Sequence, residues 1–301
     1  MSIKENFKKA AANNKYLAPI YFRLTLPYFT WLFNTQLKKG ILYDFNSVQG
    51  SIWKQRIADV VNCPDNKFIQ RVEDAGKLTG KKLIMHNGIS IHPLSYYGKY
   101  NMKMLIDNKG VHEPQEERIF NKVLKCIPKN STMLELGSYW SFYSMWFNKT
   151  IVGAKNYMVE PNFISLENGK LNFRINKMKG KFINAYVGAK FQKGNVPTVS
   201  VDFIVEKNKI EHLHILHSDI QGFEYDMLKG AENTFNTNKI SYVFVSTHSN
   251  ELHQQCTDFL VKKGFTIIAS ANCDQTFSVD GTLVGRAAFV NVPDKINIAL
   301  K

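Results

Sequence analysis

The stretch STMLELGSYWSFYSMWF, residues 131–147, decides how most of this chain is read. An apolar run leads into Glu135 and Gly137, and a helical pattern follows. A strand that enters a helix through a glycine turn opens a nucleotide-binding α/β unit. The dinucleotide fingerprint, however, needs three glycines, so that backbone and helix can approach a pyrophosphate. Here Trp140 and Ser141 stand where small residues are wanted. The turn therefore suits a ligand without a pyrophosphate.

The same alternation continues downstream. KNYMVEP (155–161), GKFINAYVG (180–188), HLHILHSDI (212–220), KISYVFVSTHS (239–249) and FTIIAS (265–270) read as strands. Helical segments separate them, among them EYDMLKGAENTF (224–235), read as one helix. A hairpin at Asp280-Gly281 brings in RAAFVN (286–291) to close the sheet. The expected fold is α/β: a doubly wound, Rossmann-like sheet, mostly parallel, with an antiparallel edge strand. Ligands of such sheets bind outside the carboxyl ends of the strands. The residues there are Glu135, Gly137 and Ser138, then Glu160 and Asn162, then Asn184 and Ala185, then Asp219 and Gln221, then His248. An acid about 20 residues beyond the first turn suits the hydroxyls of a ribose. Both NAD and S-adenosylmethionine offer one. The single glycine favours S-adenosylmethionine, whose amino-acid tail needs a tight turn but no phosphate cradle. Glu135 beside the turn also suits a positively charged ligand.

The 301 residues carry a net charge of +14, with 44% hydrophobic and 21% charged side chains. That excess points to an anionic partner or to a diffuse solubilising surface. Cys63, Cys126, Cys256 and Cys273 are scattered, with no metal-ligand spacing, and read as reduced thiols of a cytoplasmic protein. Residues 1–45 form a basic, aromatic segment. Its part 16–33, YLAPIYFRLTLPYFTWLF, is interrupted by Pro19, Arg23 and Pro27, and is a poor candidate for the roughly 20 apolar residues of a spanning helix. Contact with the inner membrane face, packing on the main domain, and a second subunit of a homo-oligomer all stay open for it. Residues 46–112 read as two short helices on either side of Pro64 and a hairpin at Asn87-Gly88, an extension on the acceptor side. Residues 113–301 form the Rossmann-like domain, which begins with the helix PQEERIFNKVLKCI (114–127).

LHSDIQGFEYDMLKGAENTF, residues 216–235, resembles the signature of FkbM-type methyltransferases. MLELGSYWSFYSMWF, YMVEPN and FINAYVG match that family's successive motifs, and the resemblance covers about residues 113–290. It implies a class I fold, S-adenosylmethionine as cofactor, and O-methylation of sugar hydroxyls in glycans, lipopolysaccharide, capsule or glycosylated metabolites. His217 departs from the lysine that the family often has two residues before the central acid.

Methyl transfer to a hydroxyl is an in-line displacement, and the hydroxyl needs a base within hydrogen-bond reach. Asp219 and His248, across one crevice, are the candidates. Glu224 either binds substrate or caps its helix. A Mg²⁺ bridging Asp219 and Glu224 to a sugar diol is a secondary expectation. His212 and His214 share one strand face at about 7 Å spacing, too far apart to converge on a metal. For a saccharide acceptor, anionic in keeping with the charge, the candidates are Tyr96, Tyr97, Glu113 and Gln115. Two other functions compete: an RNA ribose (nucleic-acid) methyltransferase, and a non-catalytic module that binds a membrane or partner. DIQGFE lacks the Asn/Asp-Pro-Pro-aromatic run of base methyltransferases, which weighs against base methylation.

Overall fold

The order of apolar residues along each central strand explains why the sheet is covered on both sides. In Thr132–Leu136, Met133 faces one core, while Leu134 and Leu136 face the other. In Ile240–Thr247, Tyr242 and Phe244 belong to the first core, and Val243 and Val245 to the second. Strands apolar on both faces are those of a parallel sheet sandwiched between helices.

The computed structural model describes residues 14, 16–40, 42–79, 81–96 and 98–301. Tyr97 and residues 1–13 lie outside the described residues. The chain begins with α1 (Leu17–Lys38) and α2 (Val48–Asn62), a small antiparallel sheet of β1 (Leu78–Thr79), β2 (Lys82–Ile84) and β3 (Ser90–Ile91), and then α3 (Lys99–Asp107) and α4 (Pro114–Leu124). The large sheet is built from β4 (Thr132–Leu136), α5 (Phe142–Thr150), β5 (Lys155–Val159), α6 (Phe163–Ile175) and β6 (Lys181–Ile183). After β7 (Tyr186–Val187), β8 (Thr198–Val199) and α7 (Val201–Lys207) it resumes with β9 (Leu213–Ser218), α8 (Glu224–Lys229), α9 (Glu232–Asn236) and β10 (Ile240–Thr247). It ends with α10 (Asn250–Lys262), β11 (Thr266–Ala271) and β12 (Gly281–Arg286).

The seven strands lie in the order β11-β12-β10-β9-β4-β5-β6. β12 is antiparallel to both of its neighbours, and the others run parallel. The antiparallel strand thus lies at the expected margin of the sheet, slotted between β10 and the outermost β11. Leu83, Met85, Ile89 and Ile91 of the extension sit in the same core as Phe120 and Trp146. Residues 46–112 therefore cover one face of the sheet and share its core.

Several boundaries depart from the sequence reading. Pro64 starts only a five-residue 3-10 turn, Pro64–Phe68, and the chain then runs irregularly. Ile52, Phe68 and Val72, apolar residues on either side of Pro64, are exposed. The third strand breaks at Asn184-Ala185, and Tyr186–Val187 pairs with β8 in a separate two-stranded sheet. EYDMLKGAENTF forms two short helices, parted at Gly230-Ala231. α7 carried no distinct signal. Pro19 and Pro27 do not break the segment: residues 17–33 lie in one 22-residue helix. Pro19 falls in its first turn, where the missing N–H has no intrahelical partner to lose. Among the described residues, no helix is long and apolar enough to cross a membrane.

Candidate active site

The carboxyl ends of β4, β5 and β9 open into a cavity of about 970 Å³. This is the top of the usual range for small-molecule sites, about 300–1,000 Å³, and it leaves room for two ligands. Gly137, after β4, has φ +72°. A Cβ there would run into the carbonyl oxygen of Asp219, so glycine alone lets β4 and β9 end side by side. Ser138 is buried on the cavity wall, and its Oγ has no hydrogen-bond partner. Buried polar atoms are rarely left so unless a ligand or water completes them.

Glu160 ends β5 on the same wall. Tyr139 N donates to its Oε2 (3.1 Å) and Asn162 N to its Oε1 (2.8 Å), which leaves further lone pairs on both oxygens. Burial, with Asp219 nearby, raises its pKa to about 7 against the pull of these donors. The Asn162 side chain caps α6, accepting from Ile164 N and Ser165 N at 2.9 and 3.1 Å. Glu135 accepts from Ser144 N in the first turn of α5 (3.2 Å), and burial raises its pKa to about 7. Asn184 and Ala185 lie off the cavity wall. Asn184 donates to the carbonyls of Glu160 and Pro161 and braces the loop that carries Glu160; Ala185 is wholly buried.

The DIQGFE loop forms the next wall. Gln221 and Gly222 both have positive φ, 58° and 99°, and Glu224 holds that turn. Its Oε1 accepts from Ile220 N and Gly222 N at 3.1 and 3.2 Å. It also lies 3.0 Å from His248 Nδ1. Fully enclosed, Glu224 is a clamp on the loop rather than a group facing the cavity. His248 Nε2 lies 3.4 Å from both Asp219 and Asp280. Burial lowers the pKa of the ring, but the three carboxylates outweigh it and lift it to about 10. That lift favours the charged ring over a free base at neutral pH. The Gln221 amide nitrogen lies 2.9 Å from His248 Nε2 and donates to Asp219 Oδ1 at 3.1 Å, so the amide links the two residues. Asp219 and Asp280 line the cavity, and burial beside Asp219 raises the pKa of Asp280 to about 7. Among the described residues, no group of three or more His, Cys, Asp or Glu side chains is arranged to hold a metal.

Of the acceptor candidates, Tyr96 and Glu113 line the cavity and Gln115 does not. Tyr96 stacks on Trp140, with ring centroids 4.4 Å apart. Glu113 accepts from Tyr143 Oη (2.9 Å) and faces His112 (3.2 Å). His112, buried between Glu113 and Glu117, has its pKa lifted to about 10 despite the opposing effect of burial. Gln115 donates to Ala299 O and accepts from Phe277 N, which ties the chain's last residues to the start of α4. His217, at the position where lysine was expected, meets Glu116 at 2.6 Å.

Other wall residues went unnoticed in the sequence. Asp280 was read only as a turn. Tyr186, Phe223 and Val279 rim the cavity with exposed apolar surface. Gln49, Trp53 and Arg56 of α2 complete the wall contributed by the extension. Their i, i+4, i+7 spacing, one helix face, was the signal that could have found them.

With its strands numbered in chain order, the sheet reads 3-2-1-4-5-7-6, the seventh antiparallel. That order, with a cavity at the carboxyl edge, defines the class I methyltransferase type of Rossmann-like fold. Residues 191–267 match the family model of the methyltransferase FkbM domain, the family that residues 216–235 resemble. No curated protein matches the chain. Among solved structures, precorrin-6y C5,15-methyltransferase from Geobacter metallireducens is 8% identical, over 56% of this chain and 88% of its own, with a TM-score of 0.41. M. capricolum TrmK in complex with S-adenosyl-homocysteine is 12% identical over 56% and 68%, with a TM-score of 0.41. A SAM-dependent methyltransferase from Aquifex aeolicus is 10% identical over 55% and 88%, with a TM-score of 0.35. At such identities the likeness says nothing of substrate.

Proposed function

We propose that the chain is an O-methyltransferase that uses S-adenosylmethionine to methylate a saccharide hydroxyl. One observation carries this reading: Gly137, the orphaned Ser138 hydroxyl, Glu160 and Asp219 meet at a single cavity. Glu160 would take the ribose hydroxyls of the cofactor, and the turn at Gly137 and Ser138 its amino-acid tail. The acidic wall of Glu135, Glu160, Asp219 and Asp280 suits its positive charge. When bound, the cofactor supplies an electrophilic methyl group on a sulfonium.

The chain's own residues do the rest. Asp219 Oδ1 receives the proton of the acceptor hydroxyl. The His248 imidazolium, fixed by Glu224, orients Asp219 and balances its charge. Calorimetric titration of the full chain with S-adenosylmethionine tests the reading, with micromolar affinity expected and Glu160→Ala weakening it. A folded protein that binds none would remove it. RNA affinity that falls steeply with salt would favour ribose methylation instead.

α1 supports attachment to the inner face of a membrane. Ala18, Tyr21, Phe22 and Phe33 are buried, while Tyr16, Ile20, Leu24, Tyr28 and Trp31 form an exposed stripe at spacings of three and four. An aromatic stripe on a chain of net charge +14 suits an anionic lipid surface. Flotation with phosphatidylglycerol vesicles, lost in Leu24→Glu/Trp31→Glu, is the expected result. Equal flotation of both proteins would refute it.

A further inference from the structure

The part of the cavity wall contributed by the extension has a different chemistry. Trp53 of α2 and Tyr100 of α3 lie parallel, centroids 6.0 Å apart and planes at 10°. The hydroxyl of Tyr100 donates to Asp44 O (2.7 Å), which fixes that ring. The Arg56 guanidinium sits 4.8 Å from the centre of the Trp53 ring, and the Lys99 ammonium 5.0 Å from that of Tyr100. All four residues line the cavity. An aromatic face holds a cation in position without neutralising it. Among the described residues, no carboxylate lies within ion-pair distance of either cation, and the buried Arg56 Nε has no hydrogen-bond partner. The cavity is therefore bipolar, with carboxylates at the strand ends and two cations on the extension that form no direct ion pair, Arg56 acting on Asp280 only at a distance.

We infer that the cationic wall is an anion subsite and that the acceptor saccharide carries a carboxylate or phosphate group bound by Arg56 and Lys99. This rests on the methyltransferase reading and narrows its substrate class. A neutral sugar would leave Arg56 and Lys99 without a partner beside a ligand that excludes water. An acidic sugar satisfies both, and the guanidinium offers the paired donors that oxyanions take. The acidic wall keeps that anionic group away from the cofactor end.

The test is titration of the full chain with glucuronate, glucose 6-phosphate and glucose, followed on the indole N–H signal of Trp53 by NMR. Trp53→Phe assigns the signal. Both anionic sugars, or one of them, are expected to bind at least about tenfold more tightly than glucose, since a charge-assisted hydrogen bond is worth about 1.5–3 kcal/mol. Preference between them separates a carboxylate acceptor from a phosphate one. Arg56→Gln/Lys99→Gln should abolish the difference, and Arg56→Lys should retain part of it. Equal affinity for all three sugars, or an anion preference that survives in the double variant, overturns the inference. So does tight binding of an RNA oligonucleotide that depends on both cations while neither anionic sugar binds. Calorimetry of the double variant with S-adenosylmethionine separates the two readings. Retained cofactor binding alongside lost anion preference supports the subsite, whereas absence of cofactor binding in the wild type strikes the methyltransferase reading itself.

Discussion

Asp219→Asn removes one of the three carboxylates around His248, and NMR can read the consequence on the ring itself. The ring is lifted from an ordinary 6.5 to about 10 by Asp219, Glu224 and Asp280 together, against burial. Shared among three partners, that lift is roughly one pH unit for each, about 1.4 kcal/mol in favour of the charged form. In the wild type, the Cε1–H signal of His248 should titrate near 10. In Asp219→Asn the midpoint should fall by about one unit or slightly more. The sign for stability follows from linkage. A raised histidine pKa contributes stability that is complete below about 6.5 and is lost as the pH rises through about 10. His248's contribution to the unfolding free energy should therefore be constant below about pH 6.5, fall steadily from there, and be gone above about pH 10. A wild-type His248 that titrates near 6.5 would sink this account and return the imidazole to the position of free base. An unmoved midpoint in Asp219→Asn would show that the carboxylate does not act on the ring.

Three further outcomes follow from the same geometry. Gly137→Ala forces a side chain into the left-handed region and into the Asp219 carbonyl; a loss of about 2–5 kcal/mol is expected in denaturant melts, with loss of cofactor binding, and a variant as stable as wild type would contradict the close approach of β4 and β9. Glu135 has its pKa raised to about 7, so its contribution to stability is complete below about 4.5 and lost as the pH rises through 7; Glu135→Gln, which keeps an acceptor for Ser144 N, should be the more stable protein at pH 8 by up to about 3 kcal/mol and no more stable at pH 4. Ser141 has φ +62° and a buried hydroxyl without a partner; Ser141→Gly should raise the melting temperature, by the equivalent of about 1 kcal/mol, and a lowered one would mean that the hydroxyl matters more than the strain.

Ser141 also shows why the turn after β4 was only partly legible. Gly137, Tyr139 and Ser141 all have positive φ, the backbone course that glycines permit at no steric cost. Two of the three positions carry side chains, so the sequence announced one glycine where the backbone makes three such turns. The sheet itself was readable because its strands are apolar on both faces and end in polar residues, a pattern that needs no tertiary information. The short elements were not. Residues 64–72 carry apolar side chains at helical spacing, yet that stretch docks through Arg118 on Asp65 and through Val72 N on His86 O, long-range contacts that local periodicity does not contain.

The site divides in the same way. Glu135, Glu160 and Asp219 could be found because each ends a strand, and strand ends are where the fold puts its ligands. The roles of Glu224 and His248 could not, because they depend on charges brought from elsewhere. Asp280 comes from a hairpin 32 residues beyond His248, and its carboxylate completes the group that raises the pKa of the imidazole. The cationic wall was least visible of all. Arg56 and Lys99 are ordinary residues of ordinary helices until the extension folds over the sheet. Only then do they line one cavity with Glu160 and Asp219, where a cationic and an anionic ligand can each meet the opposite charge.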